Sequence, residues 1–199
     1  WAGPTTGALS AGAGGGGMST GEMPHRAAGL RRRDLFRLNR MEMLLSRARS
    51  GSIYQEEALR ELCESVVPHY RFDETRQRLL VNTVDLERGT QLVWGLPGLR
   101  DVSISDAVYA SCALPGFFPP GRVADRLCID GGTIDNLPVA IAGLGMDAII
   151  AVDVGSTDLT PSTDIATQGF GSIYMRAGTC MMHALQQMPL DHWAGPPMM

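Results

Sequence analysis

Residues 126–139 read Arg126-Leu127-Cys128-Ile129-Asp130-Gly131-Gly132-Thr133-Ile134-Asp135-Asn136-Leu137-Pro138-Val139. A short apolar run ends in a carboxylate, two glycines follow at once, and an apolar-periodic segment begins after Asn136. That order predicts strand, tight turn, helix. Asp130 then stands at the carboxyl end of a strand. In open α/β sheets ligands bind there, because the loops leaving the strand tips enclose a crevice while the strands themselves are buried. Asp130 is therefore the first functional candidate. The competing reading is an Asp that only hydrogen-bonds turn amides, a common fate of an Asp-Gly pair.

Upstream of this stretch, residues 1–17 are rich in glycine, each of which costs about 1 kcal/mol relative to Ala in a helix interior. From Met18 the pattern changes to short helices. Ser19 and Glu22 have capping-box spacing, and Leu35, Leu38, Met41 and Leu45 recur at helical spacing. A second helix is predicted over Glu56 to Val67, with Leu59, Leu62, Val66 and Val67 on one side. Residues 78–86 are β-rich and end in Glu87-Arg88-Gly89, so a strand and a hairpin to Gln91–Trp94 follow. Ser105 is the predicted cap of a small-residue helix over Asp106 to Leu114, stopped by Pro115. Small side chains there let another backbone come close. The apolar run from Asp147 to Val154 reads as a strand buried on both faces of a parallel sheet. The remainder reads as a loop, a Met-rich helix over 173–187 and a frayed end with Pro196 and Pro197. Helices alternating with strands make the class α/β.

At 199 residues and 44% hydrophobic composition, the chain has the length of one soluble domain. The organisation expected is a single domain over 1–199: a Gly-rich segment (1–17), a core (18–155), and a loop, helix and tail (156–199). Cys63, Cys112, Cys128 and Cys180 form no CxxC pair or metal-ligand spacing. Buried reduced thiols are expected, without a disulfide framework or zinc. No apolar run approaches a membrane span, and no basic region followed by an apolar core opens the chain, so the expected location is the cytoplasm. Net charge is −4 and all basic charge is Arg. Eight arginines between Arg26 and Arg49 face only Asp34 and Glu42. This segment reads as a solvated helix face, or as a peripheral contact for anionic phospholipid head groups.

Four motifs in series resemble patatin-like phospholipases: Asn82-Thr83-Val84-Asp85-Leu86-Glu87-Arg88-Gly89, the Ser105–Pro119 segment, Asp130-Gly131-Gly132-Thr133-Ile134-Asp135-Asn136-Leu137-Pro138, and the Ile149–Val154 run. The resemblance covers the chain to about residue 155. It implies a three-layer α/β/α fold with a mainly parallel central sheet, and acyl-ester hydrolysis by a Ser-Asp dyad without histidine. The family's Asp opens the Asp-Gly-Gly turn, which is Asp130 here. No cofactor, metal or nucleic acid is implied.

The family's nucleophile lies on a Gly-x-Ser-x-Gly elbow, a sharp strand-to-helix turn. Here Gly3-Pro4-Thr5-Thr6-Gly7 stands in its place and puts Thr5 at the nucleophile position. Ser10 is the runner-up, with Gly12 downstream but Ala8 where the upstream Gly belongs. The competing reading is that these hydroxyls merely cap a helix start. The resemblance makes Thr6 an oxyanion amide, with Gly131 and Gly132 forming the turn. As this chain begins four residues before Thr5, the family's first strand and Gly-rich oxyanion loop are expected to be missing. An exposed sheet edge and pairing into a homo-oligomer follow from that expectation. Three functional readings result: a lipase or esterase acting on lipid or small ester substrates, a catalytically degenerate relative that only binds lipid, and a triad using His183 or His69 in the order nucleophile, acid, His.

Overall fold

The computed structural model describes residues 2–3, 52–67, 70–75, 77–152, 161, 163–191 and 193–199. Within these, contacts cluster into two compact units, Trp1–Thr133 and Ile134–Met199. In the first unit the elements run β1 (Ala2–Gly3), α1 (Glu56–Val66), β2 (Leu80–Asp85), β3 (Thr90–Trp94), α2 (Ile104–Cys112), β4 (Gly121–Val123) and β5 (Arg126–Asp130), followed by a 3₁₀ turn over Gly131–Thr133.

β2 is the centre of the sheet and is buried along its whole length. One edge of it pairs antiparallel with β3, from Val81↔Trp94 to Asp85↔Thr90. The opposite edge is shared. Ala2 and Gly3 pair in parallel with Leu80 and Val81, and Asp130, Ile129 and Cys128 pair antiparallel with Thr83, Val84 and Asp85. β4 closes on β5 in antiparallel register. The mainly parallel sheet implied by the resemblance is thus not what the described strands make, since only the β1–β2 pairing is parallel. The cause is local. β2–β3 and β4–β5 are joined by connections of four and two residues, which suit hairpins, whereas parallel neighbours need a crossover of a dozen residues or more.

The predicted β2–β3 hairpin is present, and its loop is tied down by Asp85. Asp85 Oδ1 accepts from the Glu87 and Arg88 amides at 3.0 Å each. Its Oδ2 accepts from the guanidinium groups of Arg88 at 3.0 Å and Arg126 at 3.1 Å. α1 and α2 pack on the sheet through Leu59, Cys63, Val81, Trp94, Val108 and Cys128. α2 begins two residues earlier than expected, with Ser103 as its cap and Ser105 inside the helix. Its small residues do admit a close backbone: a Cβ on Gly121 of β4 would lie 2.9 Å from that of Ala110. Cys63, Cys112 and Cys128 are buried and in no disulfide, while Cys180 is exposed.

In the second unit a short helix α3 (Val139–Ala142) precedes a long helix α4 (Phe170–Asp191), which contains the predicted Met-rich segment and extends beyond it. Asn136 donates from its amide to Gln186 of α4 at 2.8 Å. The run from Asp147 differs from expectation. Ile149 is buried but makes only an isolated parallel bridge to Met198, and Ile150 and Val152 are 73% and 69% exposed. Residues 153–154 lie outside the described part. The tail is paired instead of frayed, because Ile149 and Ala151 donate to the carbonyls of Pro197 and Met199 at 2.8 Å each. No described helix is long and apolar enough to cross a membrane.

Candidate active site at the carboxyl end of β5

Asp130 closes β5, where burial deepens along the strand, and it is 1% exposed. Three backbone contacts fix it. Its N–H donates to the carbonyl of Ala113 at 3.1 Å. Ala113 is the C-cap of α2, and the last carbonyls of a helix have no intrahelical partner. Pro115 supplies no amide to continue the helix, so the terminus of α2 is open to receive the strand end. The Asp130 carbonyl accepts from the Thr133 hydroxyl at 2.8 Å. Its carboxylate Oδ1 accepts from the Gly132 N–H at 2.8 Å. The turn amide therefore holds one carboxylate oxygen while the strand fixes the Cα.

Gly131 and Gly132 are both buried in the turn. Gly131 is demanded by contact: a Cβ there would lie 2.5 Å from the Asn82 carbonyl oxygen and 2.7 Å from the Asn82 Cγ. Asn82 is 1% exposed. Its Nδ2 donates to the Gly131 carbonyl at 3.4 Å, and its Oδ1 accepts from Gln91 Nε2 at 3.0 Å. Next along β2, the Thr83 hydroxyl accepts from Trp94 Nε1 at 2.9 Å and donates to the Leu92 carbonyl at 3.2 Å.

The sheet register brings two strand ends together here. Gly3 is opposite Val81 and Asp130 is opposite Thr83, on the same edge of β2. Two residues along a strand are about 7 Å. Gly3, the last described residue of β1, thus stands on the edge of β2 that Asp130 joins. Thr5, Thr6 and Ser10 themselves lie outside the described residues, as does His69. His183 is half-buried on α4 in the second unit.

The nearby thiols are poor nucleophiles at neutral pH. The hydrogen bond with Cys63, together with burial, pushes Cys112 well up, and burial pushes Cys128 up to about 11. Neither supplies thiolate. Among the described residues, no cluster of His, Cys, Asp and Glu could hold a metal ion. A separate cavity of ~500 Å³ is lined by Glu64, Arg71, Asp101, Ser103 and Asp106 among others, without Asp130. Its ionised walls are unsuited to an acyl chain.

Sequence reading placed Asp130 at a strand end and Gly131 and Gly132 in the turn after it, as the structure does, but assigned nothing to Asn82, Gln91 or the Ala113 carbonyl. The available signal was Gly131 itself, since a Gly at a strand end marks close approach of another backbone.

These features define an α/β protein whose candidate site sits at a strand end. The chain belongs to the patatin-like phospholipase family, whose model matches residues 1–142. It is 31% identical over 144 residues, 72% of its length, to an uncharacterized NTE family protein of Mycobacterium tuberculosis. Shorter matches, 48% over 65 residues and 43% over 73, are to a lysophospholipase, nte1, of Aspergillus oryzae and to patatin-like phospholipase domain-containing protein 6 of Homo sapiens. They cover 32% and 35% of this chain. The chain spans 37% of the mycobacterial relative and 4% and 5% of the other two.

Proposed function

We propose that this chain hydrolyses carboxylic esters of lipids, with Asp130 as general base and the hydroxyl of Thr5, or failing that Ser10, as nucleophile. The observation that carries the reading is the convergence of Gly3 and Asp130 on one edge of β2, at Val81 and Thr83. Asp130 takes the hydroxyl proton as that oxygen attacks the ester carbonyl. The alcohol leaves with a proton, and an acyl-enzyme remains. Water, deprotonated by the same carboxylate, then releases the acid. The Thr6 amide is the nearest oxyanion donor in sequence. The lysophospholipase name of one relative favours a phospholipid or lysophospholipid substrate, approached from a membrane surface that the arginines of 26–49 contact.

Hydrolysis of a short-chain chromogenic ester by the parent, Thr5→Ala and Ser10→Ala tests the nucleophile. Loss with Thr5→Ala alone supports the assignment, and loss with Ser10→Ala alone transfers the role. A parent that binds lipid vesicles without turning over any ester supports the second reading, a lipid-binding relative. That reading is favoured by the Thr in place of the elbow Ser and by Pro4 before it, since a β-branched residue tolerates strained backbone poorly.

A further inference from the structure

We infer that Asn82 is a positioning residue for the Asp130 base, acting through the peptide between Gly131 and Gly132. The inference rests on the hydroxyl–Asp chemistry proposed above. One face of this peptide is held by Asn82, whose Nδ2 donates to the Gly131 carbonyl at 3.4 Å. Its other face serves the base, the Gly132 N–H donating to Asp130 Oδ1 at 2.8 Å. In a planar trans peptide the C=O and N–H point in opposite directions, and no described peptide is cis. Fixing the carbonyl toward Asn82 therefore fixes the N–H toward Asp130.

Gln91 sets the direction of the Asn82 amide. Its Nε2 donates to Asn82 Oδ1 at 3.0 Å, which commits that oxygen and turns the Nδ2 donor to Gly131. The contact is enforced by packing. Asn82 is 1% exposed, and Gly131 sits so close that any Cβ would collide with the Asn82 carbonyl. A chain of three groups thus runs from the exposed rim of β3 to the carboxylate. Its chemical effect is on basicity, since an N–H held on the ionised carboxylate stabilises that form, and its loss raises the pKa of the base.

The test compares the parent with Asn82→Asp, Gln91→Leu and Asp130→Asn on a short-chain chromogenic ester across pH, with circular dichroism to check folding. Asn82→Asp keeps the shape but replaces the donor with an acceptor. Gln91→Leu alters an exposed strand residue and leaves the core intact. The expected result is a kcat for Asn82→Asp lower by roughly 10- to 100-fold, the scale of a small misplacement of a catalytic group. KM should be little changed, and the acid limb of the kcat profile should move to higher pH. Gln91→Leu should move both quantities in the same direction by less. An active parent, an inactive Asp130→Asn, and Asn82→Asp and Gln91→Leu with parental kcat and acid limb would overturn the role of Asn82 alone. A parent without turnover, or an Asp130→Asn variant with parental turnover, would overturn the proposed chemistry and this inference together.

Discussion

At the turn after β5 a single hydrogen atom decides the packing. A methyl on Gly131 would lie 2.5 Å from the Asn82 carbonyl oxygen, so Gly131→Ala must push the turn off β2. Overpacking of this kind costs about 1–3 kcal/mol, and chemical denaturation should show a loss in that range. An unchanged midpoint would mean that the turn is free to shift. Asp85 governs the other end of the β2–β5 pairing. Burial pushes its carboxyl up, but the Arg88 amide and the guanidinium groups of Arg88 and Arg126 outweigh this and hold it below the ordinary 3.8. A group whose pKa is depressed on folding binds protons more readily when unfolded. Its contribution is therefore complete above the unfolded value and fades as pH falls through the folded one. The stability gap between the parent and Asp85→Asn should be widest near neutral pH and shrink below about pH 3.8. A gap constant across that window would show that the charge of Asp85 is irrelevant.

Among the elements, the β4–β5 hairpin carries a visible local conflict. Ala124, first of the two connecting residues, has φ 52°, a left-handed conformation that costs a residue with a Cβ about 1–2 kcal/mol. Ala124→Gly should raise the melting temperature, offset in part by the entropy that glycine adds to the unfolded chain. A lower melting temperature would show that the Cβ contributes packing worth more than the strain. The same scale separates what the sequence reveals from what it conceals. The β2–β3 hairpin was legible because a β-rich run meets a polar, Gly-containing turn, and α2 because small residues end at Pro115. The run from Asp147 misled because a short apolar stretch has no periodicity to say which face is covered. With Ile150 and Val152 exposed, it is no buried strand. The antiparallel pairing of β2 with β5 was similarly invisible, because register and direction are set by which edges meet in space. The position of Asp130 at a strand-to-turn junction was legible from its place before Gly-Gly. Its supports were not, because the Ala113 carbonyl and Asn82 reach it only through tertiary contacts distant in sequence.

For the molecule as a whole, charge is distributed along the chain more tellingly than its net value of −4. The arginines clustered over 26–49 lead to an expected binding to anionic phospholipid vesicles that weakens steeply with salt, as the Debye length shortens from about 10 Å at 0.1 M to about 3 Å at 1 M. Co-sedimentation across that range measures it, and salt-independent binding would point to apolar insertion instead. Family membership is carried by residues 1–142, the stretch that includes both β1 and the turn bearing Asp130. The most direct test of ester hydrolysis at this site is the turnover of a short-chain chromogenic ester by the parent and by Asp130→Asn, each checked for an unchanged circular dichroism spectrum. Loss of a general base lowers turnover by about 10²- to 10⁴-fold, and a drop of that size in the folded variant is the expected result. Parental turnover in Asp130→Asn would reduce this carboxylate to a turn residue and remove the site from the end of β5.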